Sequence, residues 1–347
     1  MMSGVRQMDT FFDPKSVAVV GASKKINKAG HVIFKNFVEN KRRGVFKGEL
    51  YAVNPNEDYI LGYKSYESLS RIPEVELVIM VVPAAAVLAV MKDAVKKCVK
   101  AAVIISAGFS EIGNNELEET VASVAKKANI RVLGPNCLGA YDPLTGVDML
   151  FLPETKVLTT GDEFVATPRP MAGHIAMITQ SGAFGVAALD YLAGRQMGIS
   201  KFASFGNKCD VAEPEMLEYL LHDKETWVIL LYAEAIEAGR EFMRVAGQVT
   251  QKKPIVAFKS GKSEAGARAA ASHTGAIAGS DRIYSAAFSQ IGVIRVKDME
   301  EFFDVGKAFA FQPPAAGNKI GVLTDAGGPS VMAVDECESR GLTVKKF

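Results

Sequence analysis

The sequence predicts an α/β protein with two consecutive doubly wound parallel sheets, followed by the beginning of a third α/β unit. Apolar runs of strand length alternate with stretches of helical spacing, and most of these runs stop at Gly, Pro, Asn or Ser. Alternation of this kind is typical of parallel sheets with crossover helices. The 347 residues suffice for two or three domains, and a hydrophobic content of 48% is ample for their cores.

The first predicted domain covers residues 1–140 and contains five strands with helical stretches between them. The strands are predicted at 16–20, 50–53, 77–82, 101–106 and 131–133. Ligands of such sheets bind beyond the carboxyl ends of the strands. Small residues, Pro and Asn follow these strands and leave that edge open.

Residues 141–173 carry four prolines and no sustained periodicity, so we predict a linker with at most one short hairpin. A second domain is predicted at 174–312. Its strands are expected at 174–179, 202–205, 227–232, 254–258 and 293–296. A boundary rich in Pro and Gly precedes 317–347, where two strands and a helix predict an incomplete third unit.

Charge and composition exclude several classes of function. Lys and Arg number 40 against 39 Asp and Glu, so the net charge of +1 does not predict a nucleic-acid or anionic-membrane partner. The four cysteines are widely spaced, which argues against a zinc site or a disulfide framework and favours a reducing compartment. The longest apolar run contains Pro83 and is shorter than the roughly 20 residues that span a bilayer. We therefore expect a cytoplasmic protein.

A dinucleotide-binding oxidoreductase is a disfavoured alternative. The turn Gly21-Ala22-Ser23 lacks the second glycine of the GxGxxG fingerprint, and the second strand ends in Asn54 instead of an acidic residue. The sequence leaves open a ligand that contains a nucleotide but needs no acidic residue to contact its ribose. It also leaves open the simpler interpretation that these residues only form tight strand-to-helix turns.

His273 is the strongest candidate for a catalytic residue. It lies between the hydroxyls of Ser272 and Thr274, in a segment rich in glycine that follows the predicted strand at 254–258. Glycines allow the backbone to approach a ligand closely. An imidazole in this setting suits a nucleophile that briefly carries a phosphoryl group.

Two further features are predicted to lie at the same edge of the second sheet. Ser181 and Gly182 form a strand-to-helix turn, where free N–H groups and the helix dipole can bind phosphate. Glu234 ends a buried strand and could accept a hydrogen bond from one imidazole nitrogen, thereby orienting the other. The alternatives are a simple helix cap at Ser181 and a capping or surface role for Glu234.

Taken in order, the turn motifs resemble those of a known family, the α part of the ADP-forming (NDP-forming) acyl-CoA synthetases, relatives of succinyl-CoA synthetase. The resemblance covers essentially all 347 residues. The motifs are Gly21-Ala22-Ser23, Asn54-Pro55, Val82-Pro83-Ala84, Ser106-Ala107-Gly108-Phe109, Gly134-Pro135-Asn136-Cys137, Gln180-Ser181-Gly182-Ala183 and Ser272-His273-Thr274-Gly275.

The resemblance implies a Rossmann-like first domain that binds coenzyme A and a flavodoxin-like second domain that carries a phosphohistidine at His273. Glu234 is implied to steady the phosphohistidine. The phosphoryl group is implied to contact Ser181, Gly182, Thr274 and Gly275. The implied coenzyme A contacts are Gly21, Ala22, Ser23, Asn54, Pro55, Val82, Pro83, Ala84, Gly108 and Phe109.

The implied reaction is reversible. Acyl-CoA and phosphate give an acyl phosphate, the phosphoryl group passes to His273, and ADP then receives it to form ATP and the free acid. ATP or ADP with Mg is implied to bind an ATP-grasp module, which we do not find in this sequence, so a second subunit or a downstream domain is expected to supply it. The implied enzyme is an oligomer that acts on an acyl-CoA or its acid.

One departure from the family and one alternative accompany this resemblance. Family members often have Gly after the strand-ending Glu, where this sequence has Ala235, which could crowd the phosphohistidine pocket. The alternative is a CoA- or nucleotide-sensing regulatory module of an acyltransferase. Such modules typically lack the phosphorylatable histidine, whereas His273 is present in an intact Ser-His-Thr-Gly setting.

Overall fold

The computed structural model describes residues 7–157, 160–263, 265–266, 280–313 and 315–345. The chain divides into two compact units, Met1–Ala310 and Phe311–Phe347. His273, Thr274 and Gly275 lie outside the described residues. Within the described ranges, no helix is both long enough and apolar enough to cross a membrane.

The first sheet has seven strands in the order β3-β4-β2-β1-β5-β6-β7. Its central strands β1, β5 and β6 are buried at every position. Continuous burial is expected for parallel strands with helices on both faces. The strands are β1 (Ser16–Val20), β2 (Glu49–Val53), β3 (Tyr59–Ile60), β4 (Tyr63–Tyr66), β5 (Leu77–Met80), β6 (Ala101–Ile104) and β7 (Arg131–Leu133). The helices are α1 (Ala29–Arg42), α2 (Ala84–Lys96) and α3 (Asn115–Lys127).

The five strands predicted for this sheet are confirmed, and the structure adds the β3–β4 hairpin. Its turn residues Leu61 and Gly62 both have positive φ, at 49° and 86°, as expected for a two-residue hairpin turn. Strands this short give no visible alternation in the sequence. Strand β1 pairs with β2 on one side and β5 on the other, so the topological switch point, where ligands of such sheets bind, lies at the end of β1.

The second sheet also has seven strands, in the order β16-β15-β14-β12-β13-β8-β9. Strands β12 to β16 are parallel, and β8 is antiparallel to β13. The strands are β8 (Gly139–Asp142), β9 (Val147–Asp148), β12 (Ala172–Thr179), β13 (Ile199–Ser204), β14 (Val228–Ala233), β15 (Ile255–Lys259) and β16 (Ile294–Arg295). The helices are α4 (Gly182–Gly194), α5 (Glu213–His222), α6 (Gly239–Val249), α7 (Asp281–Gln290) and α8 (Met299–Phe311).

The prediction of at most one hairpin within 141–173 is wrong. Strands β8 and β9 pair with each other and extend the second sheet, and β10 (Thr155–Val157) pairs with β11 (Glu163–Val165). The sequence did not indicate the β8–β9 pair because both strands contain an aspartate, and buried carboxylates are unusual in strands. Asp142 lies 3.1 Å from the Lys201 ammonium, and Asp148 lies 2.8 Å from the Arg169 guanidinium. These ion pairs offset part of the free-energy cost of burying the two carboxylates. The boundaries between the domains stay a prediction.

The loop after β13 connects the two sheets. The backbone N–H groups of Asn207, Cys209 and Val211 donate to carbonyls at and after β7, at 2.9, 3.1 and 3.0 Å. The Asp210 carboxylate accepts the Val132 N–H at 2.8 Å. The loop thus runs along the edge strand of the first sheet. Gly206 makes this approach possible: an added Cβ would lie 2.1 Å from a carbonyl oxygen of the first domain.

The second unit, Phe311–Phe347, contains two strands and a helix, as the sequence predicts. Strand β17 (Lys319–Ile320) is parallel to β18 (Thr343–Val344), and helix α9 (Gly327–Ser339) lies between them in the chain. No residue of α9 is buried. A helix without buried residues contributes little core.

Candidate functional site

A cavity of about 630 Å³ is bordered by loops from both sheets. Its lining residues follow strands β5, β6, β7, β12, β13 and β14 at their carboxyl ends. They include Val82, Ser106, Asn136, Gln180, Ser181, Gly182, Ala183, Asn207, Glu234 and Glu237. Parallel α/β sheets place their ligands at this edge. The cavity therefore lies where both sheets are expected to present functional residues.

The N-terminus of helix α4 borders this cavity and offers two backbone donors. The Ser181 hydroxyl caps the helix by accepting the Phe184 N–H at 3.3 Å, and the Ser181 N–H donates to Thr179 Oγ1 at 3.1 Å. The N–H groups of Gly182 and Ala183 belong to the first turn, where the helix provides no acceptor. Together with the helix dipole, these two donors suit a negatively charged group at the cavity wall.

Helix α4 packs closely on its own sheet. An added Cβ at Gly185 would lie 2.8 Å from the Phe202 ring and 3.1 Å from Thr179 Cγ2. This close approach fixes where the first turn of the helix begins. The position of the Gly182 and Ala183 N–H groups is therefore set by packing on β12 and β13.

Glu234 follows β14 and also lines the cavity. Its backbone is held from two sides. The N–H groups of Glu234 and Ala235 both donate to Gln180 Oε1, at 2.9 and 3.0 Å. The Ala235 carbonyl accepts a hydrogen bond from Lys208 Nζ at 2.8 Å, and Lys208 Nζ lies 3.1 Å from Glu213 Oε1. Burial raises the pKa of Glu213, and the Lys208 charge opposes this effect.

Lys259 ends β15 next to the strand that leads to Glu234. It pairs in register with Ala233, and its ammonium lies 4.6 Å from the centroid of the Tyr284 ring. Burial lowers the pKa of Lys259, and the nearby Arg295 charge adds to the effect. A buried cation is thus present at the point where the chain enters the segment containing His273.

Two smaller cavities lie at the carboxyl edge of the first sheet. One, of about 400 Å³, is lined by polar and charged residues that include Gly21, Ser23, Lys25, Lys28 and Asn54. The other, of about 380 Å³, is more apolar and includes Gly21, Asn54, Pro55, Val82 and Pro83. The first suits phosphate groups, because it combines lysines with the N-terminus of α1. The second suits a less polar group.

The turn after β1 requires glycine at two positions. Gly21 has a φ of +96°, and an added Cβ would lie 2.2 Å from the Val81 carbonyl oxygen. At Gly30, in the first turn of α1, an added Cβ would lie 2.0 Å from the Gly21 carbonyl oxygen. Helix α1 can therefore begin directly against the turn. Gly21 and Gly30 thus allow the helix to pack closely on the turn, as the glycines of GxGxxG do in dinucleotide-binding proteins, although their spacing differs.

The structure brings most of the predicted site residues to a cavity wall. Ser181, Gly182, Glu234 and Val82 share the 630 Å³ cavity, and Gly21, Ser23, Asn54, Pro55 and Pro83 line the other two. Four predicted contacts line none of these three cavities. Ala22 and Phe109 are fully buried in the core, Ala84 begins α2, and the Gly108 N–H donates to Glu111.

Sequence reasoning missed the polar cluster that joins the loops of the two sheets. The Glu111 carboxylate accepts the Phe109 N–H at 3.1 Å, and the Asn207 side-chain amide donates to Glu111 at 2.7 Å and to Glu118 at 2.8 Å. Burial would raise the pKa of Glu111, but hydrogen bonds from Gly108, Asn207 and Phe109 outweigh burial and lower it. These residues lie far apart in sequence and share no motif.

Two family models match the chain. A model described as a CoA binding domain matches residues 15–143, and one described as a succinyl-CoA ligase like flavodoxin domain matches residues 172–309. The matched segments coincide with most of the two sheets. Each match covers a little over a third of the chain.

Related proteins extend over almost the whole chain. The α subunit of acetate–CoA ligase (ADP-forming) II from Pyrococcus furiosus is 40% identical over 338 residues, with 96% of this chain and 69% of that protein covered. Acetate–CoA ligase (ADP-forming) from Methanocaldococcus jannaschii is 42% identical over 335 residues. That match covers 96% of this chain and 45% of the relative, so the chain spans about half its length.

A solved structure has the same fold. It is the dinucleotide-forming acetyl-coenzyme A synthetase 1 of Ca. Korarchaeum cryptofilum, in complex with phosphate and ADP. The TM-score is 0.88 at 38% sequence identity, and the match covers 98% of this chain and 70% of that one.

Proposed function

This chain belongs to the ADP-forming acyl-CoA synthetases, and we propose that it is the part of such an enzyme that converts acyl-CoA to acyl phosphate and receives the phosphoryl group on a histidine. Support for the assignment comes from 40% identity to an α subunit across 96% of the chain. The chain spans 45% of the Methanocaldococcus jannaschii relative, which supports the proposal that the complete activity belongs to a larger assembly.

The observation that carries the proposal is the shared cavity at the carboxyl edges of both sheets. Val82 of the predicted coenzyme A edge and Ser181, Gly182 and Glu234 of the predicted phosphoryl site line the same 630 Å³ space. A thioester carbon held from the first sheet can thus reach a phosphate held at α4. Proximity of this kind makes a two-substrate step effectively unimolecular.

In the first step, an oxygen of inorganic phosphate attacks the thioester carbon of the acyl-CoA. The C–S bond breaks, coenzyme A leaves as its thiolate, and acyl phosphate remains. The Gly182 and Ala183 N–H groups and the dipole of α4 stabilise the negative oxygens of the phosphoryl group. These donors are fixed by helix packing before substrate arrives, so they need little reorganisation during the reaction.

In the second step, an imidazole nitrogen of His273 attacks the phosphorus atom, and the acid leaves as its carboxylate. His273 lies outside the described residues, so its part in the step is proposed from the resemblance. The Glu234 carboxylate accepts a hydrogen bond from the other ring nitrogen and stabilises the positive charge of the phosphohistidine. The last step delivers the phosphoryl group to ADP with Mg.

The residues of the first domain suit the binding of coenzyme A. Lys25 and Lys28 line a polar cavity at the N-terminus of α1, where phosphate groups are stabilised by charge and by backbone donors. The neighbouring cavity, with Pro55, Val82 and Pro83, is apolar enough for the organic part of the ligand. Val82 also lines the 630 Å³ cavity, and we propose that the thiol arm of coenzyme A extends past this residue towards Ser181.

The proposed partner is an ATP-grasp module, present as a second subunit or as a further domain of the same polypeptide. The relative from Pyrococcus furiosus is named an α subunit, which supports an assembly with another subunit. We propose that the assembly is an oligomer in the cytoplasm. The nucleotide and its Mg ion belong to that module.

The test is ATP formation by the complete enzyme. Acetyl-CoA, phosphate and ADP with Mg are expected to give ATP and acetate, and leaving out any one of them is expected to abolish ATP formation. Propionyl-, isobutyryl- and phenylacetyl-CoA extend the panel to larger acids. Coenzyme A binding without turnover of any acyl-CoA contradicts the proposal and favours a regulatory module. Acyl-independent reduction of NAD favours the oxidoreductase.

A further inference from the structure

Gln180 lies between β12 and α4, immediately before the proposed phosphoryl site, and the mechanism above gives it no role. The residue is more than nine-tenths buried, with 8% exposed. It nevertheless lines the large cavity together with Gly182 and Ala183. A buried polar side chain at a cavity wall requires partners for each of its polar atoms.

The orientation of the Gln180 amide is fixed by its surroundings. Two backbone N–H groups, those of Glu234 and Ala235, donate to one end of the amide at 2.9 and 3.0 Å. Only an oxygen can accept two such hydrogen bonds, so that end is Oε1 and the other end is the NH₂ group. The backbone donors therefore settle an assignment that is otherwise ambiguous for glutamine.

The NH₂ group of Gln180 has no acceptor among the residues that the structure describes. It is also not enclosed. Within the same described part of the chain, the enclosed side-chain polar atoms without a hydrogen bond are Asp142 Oδ2, Thr145 Oγ1 and Ser204 Oγ. Two N–H donors of Gln180 thus remain accessible from the cavity, next to the first turn of α4.

We propose that Gln180 binds a phosphoryl oxygen through its NH₂ group while its Oε1 holds the backbone of Glu234, so that one side chain links substrate phosphate to the residue that steadies the phosphohistidine. This inference rests on the proposed function. The Gly182 and Ala183 N–H groups bind the phosphoryl group from the helix side, and the Gln180 amide binds it from the strand side. Neutral donors of this kind serve an anion without the cost of burying a further charge.

The Gln180→Glu variant separates the two roles. A carboxylate oxygen can still accept the Glu234 and Ala235 N–H groups, but the donor is lost and a negative charge faces the phosphate. In the complete enzyme we expect KM for phosphate to rise by about 10- to 100-fold, the worth of a hydrogen bond to a charged group. KM for acetyl-CoA and for ADP should change by less than about threefold.

Gln196→Glu is the matched control, because it makes the same substitution in an exposed residue just beyond the opposite end of α4. Gln180→Met is the second variant, for use if Gln180→Glu does not fold. It removes donor and acceptor without adding charge, so KM for phosphate should rise by about tenfold and kcat should fall as well, because the Glu234 backbone loses its support. Thermal unfolding of each variant reports whether it is folded.

Different results identify which inference fails. A wild-type enzyme that makes no ATP from any acyl-CoA refutes the proposed function itself. With an active wild type, a KM for phosphate in Gln180→Glu within threefold of both the wild type and Gln196→Glu overturns the role of Gln180. A rise confined to KM for acetyl-CoA also overturns it, because the amide would then contact the acyl group instead of the phosphate.

Discussion

The backbone at Glu234 is held by side chains from two other loops, and this determines where its carboxylate lies. Gln180 binds the two N–H groups, and Lys208 binds the Ala235 carbonyl at 2.8 Å. Lys208 is itself paired with Glu213, which is almost fully buried. The backbone at Ala235, the residue expected to crowd the phosphohistidine pocket, is therefore held in place from both sides.

The Glu234→Gln substitution tests the proposed charge on the phosphohistidine. It preserves size and hydrogen-bonding capacity but removes the negative charge that stabilises the charged imidazole. We expect kcat of the complete enzyme to fall by roughly 10- to 100-fold, as is common for groups that orient a functional histidine. Steady-state ATP formation is the measurement.

Glu237→Gln is the control for this substitution, because Glu237 lines the same cavity and no role is proposed for it. Its kcat should stay within about twofold of the wild type. An equal loss of kcat in both variants would indicate that the total negative charge of the cavity matters and that the position of Glu234 does not. An unchanged kcat in Glu234→Gln would contradict the assignment.

Single residues at strand ends were predictable from the sequence, but their supporting residues were not. Ser181-Gly182 and Glu234 directly follow long buried strands, and the structure places them at one cavity. Lys208 and Asn207 belong to a loop with no periodicity, and they act on partners that lie far away in sequence. Such contacts depend on how the two sheets meet, and a local pattern does not carry that information.

At the scale of elements, the β13–α5 loop is the main connection between the two sheets. Its backbone donates to carbonyls of the first domain, and Asn207 joins Glu111 and Glu118 through its side-chain amide. The same loops line the large cavity. The shape of the site therefore depends on this junction.

The acid sensitivity of this junction is predicted from Glu111. Its folded-state pKa is lowered from the ordinary value of 4.5, so its contribution to stability is present above about pH 4.5 and is lost as pH falls through the lower, folded-state pKa. The Glu111→Gln variant should have a free energy of unfolding about 1–3 kcal/mol lower at pH 7, the worth of hydrogen bonds to a charged acceptor. The difference should shrink below about pH 4.5.

Urea unfolding at a series of pH values measures this difference. Glu119→Gln serves as the control, because Glu119 is exposed on α3 and has no partner role in the junction. The free energy of unfolding of Glu119→Gln should stay within roughly 0.5 kcal/mol of the wild-type value at each pH, as is usual for surface substitutions. If the difference in free energy of unfolding between Glu111→Gln and the wild type stayed constant down to about pH 3, this would contradict a charged Glu111 at the junction.

The elements that the sequence could predict are those with long buried runs. All ten strands predicted for the two sheets are present, with bounds that differ by a few residues. The strands that it missed, β3, β4, β8 and β9, have two to four residues each. Pairing with neighbours stabilises them. All four are too short to show a hydrophobic pattern, and β8 and β9 also contain ion-paired aspartates.

At the scale of the whole molecule, the fold places the two proposed binding functions on separate sheets, and residues from both sheets line one common cavity. The alternation of apolar runs with helical stretches was sufficient to predict both sheets, and the order of the turn motifs was sufficient to predict the family. It could not predict that Val82 of one sheet and Glu234 of the other line the same cavity. That arrangement depends on the close approach at Gly206 and on the antiparallel strands β8 and β9, which a search for parallel units does not reveal.

In the proposed mechanism, a phosphoryl carrier connects this cavity to a nucleotide site elsewhere in the assembly. The chain covers 70% of the Ca. Korarchaeum cryptofilum synthetase chain and 45% of the Methanocaldococcus jannaschii ligase. A histidine that holds the phosphoryl group covalently allows acyl chemistry and nucleotide chemistry to occur at different places. The central claim is that His273 is this carrier.

Labelling with γ-³²P ATP and Mg in the complete enzyme tests that claim most directly. We predict acid-labile, base-stable label on this chain, discharged by ADP and absent from His273→Ala. The control His174→Ala should be labelled like the wild type, because His174 is occupied in stacking on Trp227 at 3.6 Å. Label that persists in His273→Ala, or an active enzyme that never carries acid-labile label, would contradict the account.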